Sequence, residues 1–172
     1  MKRLHILGRK NHGKTTLVVD LTAHFTALGY RVGTIKHTHH QHELDVPGKD
    51  SHRHRAAGAA VGGILSRSTA AVFWSTTDES AVEDRYAQFA PHFADCDFVL
   101  VEGDTQTTAL RIEVWRAEIG GEPLAVADLG IAAVVADERC PAAVEWWPRS
   151  DLAGLGGNIL RLLVMRDANE PN

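Results

Sequence analysis

The chain has 172 residues and a formal net charge of −4 at pH 7, from 18 Lys or Arg and 22 Asp or Glu. This length suits a single domain over residues 1–172, and the slightly acidic charge argues against general binding of nucleic acid. The two cysteines form no metal or disulfide motif, and no apolar run is typical of a secretory signal or a membrane helix, which predicts a cytoplasmic protein.

The first predicted unit is a strand, a loop, a helix and a second strand. Residues 4–7 form a short apolar run that predicts the first strand. Over residues 14–28, apolar side chains recur at spacings of three and four, which predicts an amphipathic helix that Gly29 ends. Residues 31–37 are rich in β-branched side chains, which predicts the second strand. The short return favours two parallel strands joined by a right-handed crossover.

The loop after the first strand has the spacing of a phosphate-binding P-loop. Its sequence is Gly8-Arg9-Lys10-Asn11-His12-Gly13-Lys14-Thr15. Glycines allow the backbone, including that of Asn11 and His12, to wrap phosphate oxygens, and the helix N-terminus adds about half a positive charge. Lys14 is expected to reach the β- and γ-phosphates, and the Thr15 hydroxyl to coordinate Mg²⁺. The loop therefore predicts nucleotide binding.

The polar segment 38–49 follows the second strand at its C-terminal end, so we expect it to overhang the P-loop. Four cations in or beside this segment are candidates for binding anionic substrate groups: Lys36, Lys49, Arg53 and Arg55. Asp45 and Asp50 are alternative candidates for holding Mg²⁺ or orienting water. Asp50 or Ser51 is expected to cap a helix that continues to about residue 60.

The same region has a high concentration of histidines. Six of the ten histidines fall within eighteen positions: His37, His39, His40, His42, His52 and His54. Their spacing matches no defined zinc site, so a solvated polar loop is the simpler interpretation for each of them. A metal-binding cluster stays open as an alternative.

Residues 61–66 and 70–76 predict two adjacent strands, and residues 80–90 predict a helix that Pro91 ends. Residues 97–102 hold a continuous apolar run, which predicts a central parallel strand buried on both faces. Asp97 and Glu102 bracket this strand about 16 Å apart, so only one of them can face the phosphates. Glu102 lies at the C-terminal end, where ligands bind in open α/β sheets, and is the predicted carboxylate beside Mg²⁺.

The last third of the chain predicts two further strands and a helix. Residues 111–116 alternate apolar and charged side chains, which predicts a half-exposed strand, and residues 131–136 predict a buried one. Asp137 follows that strand and is a candidate for contacting a guanine edge. The pair Trp146-Trp147 indicates packing or an interface. Residues 151–165 predict a final helix and residues 167–172 a frayed end, so the fold class is α/β, with a mostly parallel sheet flanked by helices and an additional strand pair.

Several motifs together resemble the molybdopterin-guanine dinucleotide biosynthesis adaptor protein family, MobB, which has a P-loop NTPase fold. The matching segments are residues 8–16, Ile35-Lys36-His37-Thr38-His39-His40, Asp45-Val46-Pro47-Gly48-Lys49-Asp50-Ser51, Ala57-Gly58-Ala59, Val99-Leu100-Val101-Glu102-Gly103 and Ile112-Glu113-Val114. The chain departs from the family at His42-Glu43, where Phe-Asp is usual, and at Asp104-Thr105, where Phe-Lys is usual.

The resemblance implies a GTP-binding protein with weak GTPase activity and Mg²⁺ as its ion. It also implies a homodimer that acts beside the molybdenum cofactor guanylyltransferase, which attaches GMP to molybdopterin. The candidate catalytic residues are Lys14, Glu102 and Asp45. The candidate nucleotide contacts are Gly8, Asn11, His12, Gly13, Lys14, Thr15, Thr16, Lys36, Lys49 and Asp137. Two other classes stay open: a nickel-delivery GTPase, motivated by the histidines, and a small-molecule kinase.

Overall fold

A computed structural model describes residues 1–38, 43–75, 82–142 and 144–167 of the chain. The strands of this part, in chain order, are β1 (Arg3–Leu7), β2 (Val32–Lys36), β3 (Val61–Leu65), β4 (Ala70–Trp74), β5 (Phe98–Glu102), β6 (Leu110–Val114), β7 (Ile131–Ala136) and β8 (Glu145–Pro148). The helices are α1 (Lys14–Ala27), α2 (Asp50–Ala56), α3 (Val82–Phe89) and α4 (Leu152–Asp167). The chain divides into a first unit, Met1–Thr38 with Tyr86–Asn172, and a second unit, His39–Arg85.

The first unit is built on a parallel sheet. Among the described residues this sheet has six strands, in the order β2-β5-β1-β6-β7-β8. β5 lies between β2 and β1 and is buried along its apolar run, which confirms the predicted central strand. Because all these strands run in the same direction, their C-terminal ends lie along one edge. That edge carries the P-loop after β1 and Glu102 at the end of β5.

Helices α1 and α4 pack on the sheet through apolar side chains at helical spacing. One core cluster joins strand residues to residues of both helices, among them Leu17, Leu21, Phe25, Leu155 and Ile159. Burying each such side chain contributes roughly 1.5–3 kcal/mol. α1 ends before Gly29, which adopts φ 89° and donates its N–H to the carbonyl of Thr26 at 3.0 Å. The predicted helix and its glycine stop are confirmed.

β6 is not the half-exposed strand that its alternating pattern predicts. It lies between β1 and β7, and the side chain of Glu113 is buried. The two carboxylate oxygens of Glu113 accept hydrogen bonds from the N–H groups of Leu124 and Ala125, both at 2.9 Å. Burial raises the pKa of Glu113, and these two hydrogen bonds oppose that effect. A charged residue can lie inside this sheet because both of its acceptor oxygens are satisfied.

β8 is a strand that the sequence pattern does not predict. It pairs in parallel with β7, and Trp147 is buried in the core, which confirms the packing interpretation for that residue. α4 follows directly, and the carboxylate of Asp151 caps it by accepting the N–H of Gly154 at 2.9 Å. Of the helices in the described part of the chain, none is long and apolar enough to cross a membrane.

The second unit contains α2 and an antiparallel hairpin of β3 and β4, which confirms the additional strand pair. The prediction that Asp50 or Ser51 caps α2 is wrong: Lys49 occupies the cap position without a side-chain hydrogen bond. The Ser51 hydroxyl donates instead to Asp45, at 2.9 Å. Several apolar side chains of the hairpin are exposed, namely Val61, Ile64, Leu65 and Val72.

Helix α3 ends at Phe89, and Pro91 falls in the short 3₁₀ turn Ala90–Phe93, as a helix-ending proline should. Some predictions concern positions outside the described residues. These positions are His39, His40 and His42, residue 76 of a predicted strand, residues 80–81 of a predicted helix and residues 168–172.

Candidate nucleotide-binding site

The P-loop joins β1 to α1 through backbone positions with positive φ: 145° at Gly8, 70° at Asn11 and 89° at Gly13. A β-carbon on Gly8 would lie 2.4 Å from the carbonyl oxygen of Val114, so the close approach to β6 requires glycine. Leu17 donates its N–H to the carbonyl of Gly13 at 3.0 Å, so α1 begins directly after Gly13. The first N–H groups of a helix lack intrahelical acceptors, which makes this end of α1 suited to an anion.

Lys14 turns back over the loop that precedes it. Its Nζ donates to the carbonyl oxygens of Gly8, at 2.8 Å, and Arg9, at 2.9 Å. Burial lowers the pKa of Lys14; the carboxylate of Glu102 opposes this shift and the ammonium of Lys36 adds to it. The ammonium therefore lies at the loop, next to a second cation and one carboxylate, where a phosphate oxygen would be a favourable additional acceptor.

Thr15 and Glu102 meet beside the loop. The Thr15 hydroxyl donates to Oε1 of Glu102 at 2.8 Å, and Nζ of Lys36 lies 3.8 Å from the same oxygen. Lys36 and Glu102 are register partners on β2 and β5, so the sheet itself brings them together. The Glu102 side chain is only 12% exposed, which limits the screening of its charge by solvent. Four of the predicted site residues, Lys14, Thr15, Lys36 and Glu102, are thus adjacent.

His12 is a buried residue of the loop. It is 1% exposed, and its Nδ1 accepts a hydrogen bond from the backbone N–H of Arg116 at 3.0 Å. Burial lowers the pKa of His12, and the nearby charges of Lys14, Arg9 and Arg116 lower it further. A neutral imidazole is therefore favoured, and its ring anchors the P-loop to the segment after β6. A ligand contact by His12 stays a prediction.

Two arginines that the sequence analysis does not single out lie against the loop. A β-carbon on Gly13 would lie 3.4 Å from both terminal nitrogens of Arg149 and 3.5 Å from Nε of Arg116. Arg116 follows β6 and Arg149 follows β8, so both lie at the C-terminal edge of the sheet. In the sequence, the only indication of a functional role is that each arginine closely follows a strand. For Arg149 that strand, β8, is not predicted.

The remaining candidates of the first unit are Thr16 and Asp137. Both side chains are exposed. Thr16 follows Thr15 in the first turn of α1, and Asp137 follows the last residue of β7 at the same sheet edge. Burial and the like charge of Arg116 lower the pKa of Arg149, and the charge of Asp137 opposes this lowering.

Asp45 and Lys49 belong to the second unit. Oδ1 of Asp45 accepts hydrogen bonds from the Ser51 hydroxyl and from the N–H of Val46, both at 2.9 Å, and the residue is buried. Lys49 is exposed at the start of α2. Their expected approach to the P-loop stays a prediction. Among the residues that the structure describes, no group of three or more His, Cys, Asp and Glu could hold a metal ion.

Asp104, one of the departures from the family pattern, is buried directly after Glu102 and Gly103. Its carboxylate accepts the Tyr86 hydroxyl at 2.9 Å and the N–H of Gln106 at 3.2 Å. The Tyr86 ring contacts the edge of the buried His5 ring, with centroids 5.3 Å apart. Asp104 therefore fixes the segment after β5 and is engaged in structure, which leaves Glu102 as the carboxylate facing Thr15.

Comparisons with known proteins agree with this architecture. Residues 3–137 match the family model described as molybdopterin guanine dinucleotide synthesis protein B, MobB. A molybdopterin-guanine dinucleotide biosynthesis adapter protein of Escherichia coli (strain K12) is 35% identical over 149 residues, which cover 86% of this chain and 85% of the relative. The protein of the same description from Haemophilus influenzae is 34% identical over 131 residues, which cover 76% and 72%.

Solved structures show the same fold. The crystal structure of a molybdopterin-guanine biosynthesis protein B superposes with a TM-score of 0.69 at 26% identity, over 94% of this chain and 98% of that one. A MobB homolog from Bacillus stearothermophilus gives 0.66 at 24% identity, over 96% and 99%. The predicted P-loop NTPase fold class is confirmed.

Proposed function

Because the chain belongs to the molybdopterin guanine dinucleotide synthesis protein B family, we propose that it is an adaptor that binds GTP with Mg²⁺ and serves the biosynthesis of molybdopterin guanine dinucleotide. The observation that carries the nucleotide part is the contact of the Thr15 hydroxyl with Glu102, beside Lys14 at the start of α1. The pathway part is supported by the names of the two relatives, both of which are called adapter proteins of this biosynthesis.

The donor atoms at this place suit Mg²⁺. The Thr15 hydroxyl and the Glu102 carboxylate are hard oxygen donors, and Mg²⁺ in nucleotide sites takes one or two such groups together with phosphate oxygens and water. When bound, the ion neutralises charge on the β- and γ-phosphates. Glu102 accepts the hydrogen bond of the Thr15 hydroxyl and orients it, and Lys14 supplies a positive charge at the same loop.

Slow hydrolysis fits the environment of the candidate base. A general base must accept a proton from the attacking water, which needs an available lone pair. One carboxylate oxygen of Asp45 is already engaged by the Ser51 hydroxyl and the Val46 N–H, and Nη1 of Arg55 lies 3.9 Å from the other. The Asp45 carboxylate is also buried, which makes it a poorly accessible acceptor for a proton from water. We therefore propose a weak GTPase in which binding, rather than turnover, carries the function.

We propose that Asp137 gives the site its preference for guanine over adenine. Guanine carries a 2-amino group that can donate to a carboxylate, whereas the amino group of adenine lies at C6. Asp137 is exposed at the C-terminal end of β7, on the sheet edge that carries the P-loop. Replacing Asp137 by Asn should therefore reduce the ratio of GTP to ATP affinity.

A homodimer is proposed to form through the β3–β4 hairpin. Within the described residues these two strands pair only with each other, so their outer edges offer unpaired backbone groups to a strand of a second copy. Leu65 is 87% exposed and Val61 is 61% exposed, so pairing with a second copy would cover apolar surface. The dimer would then present itself to the molybdenum cofactor guanylyltransferase that acts on molybdopterin.

The test of nucleotide binding is a thermal-shift comparison of the wild type, Lys14→Ala and Lys10→Ala. At GTP concentrations about one hundred times Kd, binding should stabilise the wild type by ~2.7 kcal/mol. Lys14→Ala should lose most of this shift, whereas Lys10→Ala, which alters an exposed lysine of the same loop, should keep most of it. An equal shift in all three proteins would contradict the site, and no shift in the wild type would contradict GTP binding.

A further inference from the structure

We infer that Arg116 and Arg149 bind phosphate oxygens of the nucleotide from the β6–β8 side of the P-loop. The inference rests on the proposed binding of a nucleotide at this loop. In the sheet order, β5 and β2, which carry Glu102 and Lys36, lie on one side of β1, and β6 and β8 lie on the other. The loop is therefore flanked by a carboxylate and a lysine on one side and by two guanidinium groups on the other.

The two guanidinium groups converge on a single backbone position. Both terminal nitrogens of Arg149 and Nε of Arg116 come within 3.5 Å of the place where a β-carbon of Gly13 would be. Gly13 directly precedes Lys14 and adopts φ 89°. A side chain at this position would compete with the arginines for space, so both guanidinium groups can approach the loop only because residue 13 is glycine. A cation in contact with a phosphate-binding loop lies within reach of an anion that the loop holds.

Hydrogen-bond donors of both arginines lack acceptors. Nη1 of Arg149 and Nε of Arg116 are buried and have no hydrogen-bond partner among the described residues. Arg116 has an ion pair with Glu118 at 3.4 Å, through its Nη1, and Arg149 has no ion pair within the described part of the chain. Buried polar groups are normally satisfied, and a guanidinium donor without an acceptor points to an absent anionic ligand. A phosphate oxygen would supply that acceptor.

The pair is electrostatically unfavourable without an anion. Burial lowers the pKa of Arg149, and the like charge of Arg116 lowers it further; the carboxylates of Asp137 and Asp20 oppose these effects only in part. We therefore expect these two adjacent cations to lower the stability of the nucleotide-free protein. An arginine pair with a purely structural role would instead stabilise the nucleotide-free protein. The direction in which the arginine variants change this stability therefore distinguishes a phosphate-binding role from a structural one.

The scaffold holds both arginines in place by their main chains. The N–H of Arg116 donates to Nδ1 of His12 at 3.0 Å, and the N–H of Arg149 donates to the carbonyl of Ala136 at 3.1 Å. The backbone of Arg116 is thus hydrogen-bonded to the P-loop itself, and that of Arg149 to the end of β7. These hydrogen bonds fix the backbone from which each guanidinium group extends, so no backbone freedom has to be lost there on binding.

The test uses the full chain with Arg149→Gln, Arg116→Gln and the control Arg31→Gln. Arg31 precedes β2 at the opposite edge of the sheet and forms an exposed ion pair with Asp95. Isothermal titration with GDP at two salt concentrations gives the affinity and its salt dependence, and thermal unfolding without nucleotide gives the stability. Each site variant should raise the Kd for GDP at least about tenfold and reduce its salt dependence, because a charge-assisted contact is lost. The nucleotide-free midpoint should stay equal or rise, and Arg31→Gln should leave GDP binding unchanged.

Three results would overturn the inference. The first is an unchanged Kd for GDP in both site variants. The second is a weaker affinity with unchanged salt dependence, which would assign the arginines to the base or sugar. The third is a loss of nucleotide-free stability that matches the loss of binding, which would make their role structural. A wild type that binds neither GDP nor GTP would instead refute the proposed function, on which this inference depends.

Discussion

Replacing Glu102 by Gln should separate the effect of Mg²⁺ from the binding of nucleotide. The substitution keeps the size of the side chain and an oxygen that can accept the Thr15 hydroxyl, which now donates at 2.8 Å. It removes the negative charge that lies 3.8 Å from Lys36. Without Mg²⁺ that charge repels the phosphates, so the variant should bind GTP as tightly as the wild type or more tightly. With Mg²⁺, the variant should bind GTP more weakly than the wild type.

The magnitude follows from the distances and the burial. Unit charges about 4 Å apart interact by roughly 4 kcal/mol at an effective dielectric constant of about 20. The Glu102 side chain is 12% exposed, and its oxygen already accepts one hydrogen bond from Thr15 and forms an ion pair with Lys36, so we expect about half of this value for the ion. A difference of about 1.4–2.8 kcal/mol corresponds to roughly a 10- to 100-fold loss of the Mg²⁺ enhancement.

The assay is a titration with a non-hydrolysable GTP analogue in Mg²⁺ and in EDTA, from which the ratio of the two Kd values is taken. Asp97→Asn is the matched control, because Asp97 lies at the other end of the same strand, where its carboxylate accepts the N–H of Arg31 at 2.7 Å. The control should keep the wild-type ratio. A wild-type ratio in Glu102→Gln would refute the reasoning and direct the metal to Asp45 or Asp50.

Three further predictions concern stability and assembly. Gly8→Ala should lower the free energy of unfolding by roughly 2 kcal/mol or more in chemical denaturation, because its β-carbon would lie 2.4 Å from the Val114 carbonyl at a positive φ. Gly157→Ala is the control: its β-carbon would meet nothing within 4 Å in α4, so this variant should raise the free energy of unfolding. Changes of the same sign in both variants would contradict the packing. The lowered pKa of His12 means that its contribution to stability is present above the unfolded value of about 6.5 and is lost as pH falls below it. Denaturation from pH 8 to 5 should therefore show a smaller loss in His12→Gln than in the wild type, and parallel curves would exclude this role. Leu65→Glu should convert dimers to monomers in light scattering, whereas Leu129→Glu, at a position 85% exposed in the first unit, should not; a wild type that is already monomeric would refute the dimer.

The parts of the fold that the sequence predicts correctly are those with strong local signals. The continuous apolar run of β5 can be stable only with both faces covered, and the spacing of Leu17 and Leu21 in α1 defines one buried face. The P-loop pattern fixes the position of Lys14 relative to the helix N-terminus. In each case the residues that determine the structure are neighbours in the chain.

The errors come from partners that are distant in the chain. Arg111 and Glu113 suggest an exposed strand, yet Arg111 pairs with Asp128 at 2.9 Å and Glu113 is satisfied by backbone N–H groups after residue 123. β8 is short and ends in Pro148, which is tolerated because the strand lies at the edge of the sheet. The approach of Arg149 to Gly13 likewise depends on the sheet order, which no local pattern reveals.

The position of β1 in the sheet has a consequence for synthesis on the ribosome. Its neighbours are β5 and β6, so that Arg3 lies opposite Val99 and Leu4 lies opposite Leu110. At about 5–20 residues per second, the nascent β1 waits on the order of ten seconds for these partners. The P-loop that follows β1 cannot take its final shape earlier, since Gly8 packs against Val114. The proposed nucleotide could therefore stabilise this chain only after β6 has been synthesised, and the segment Arg3–Leu7 lacks its two neighbouring strands until then.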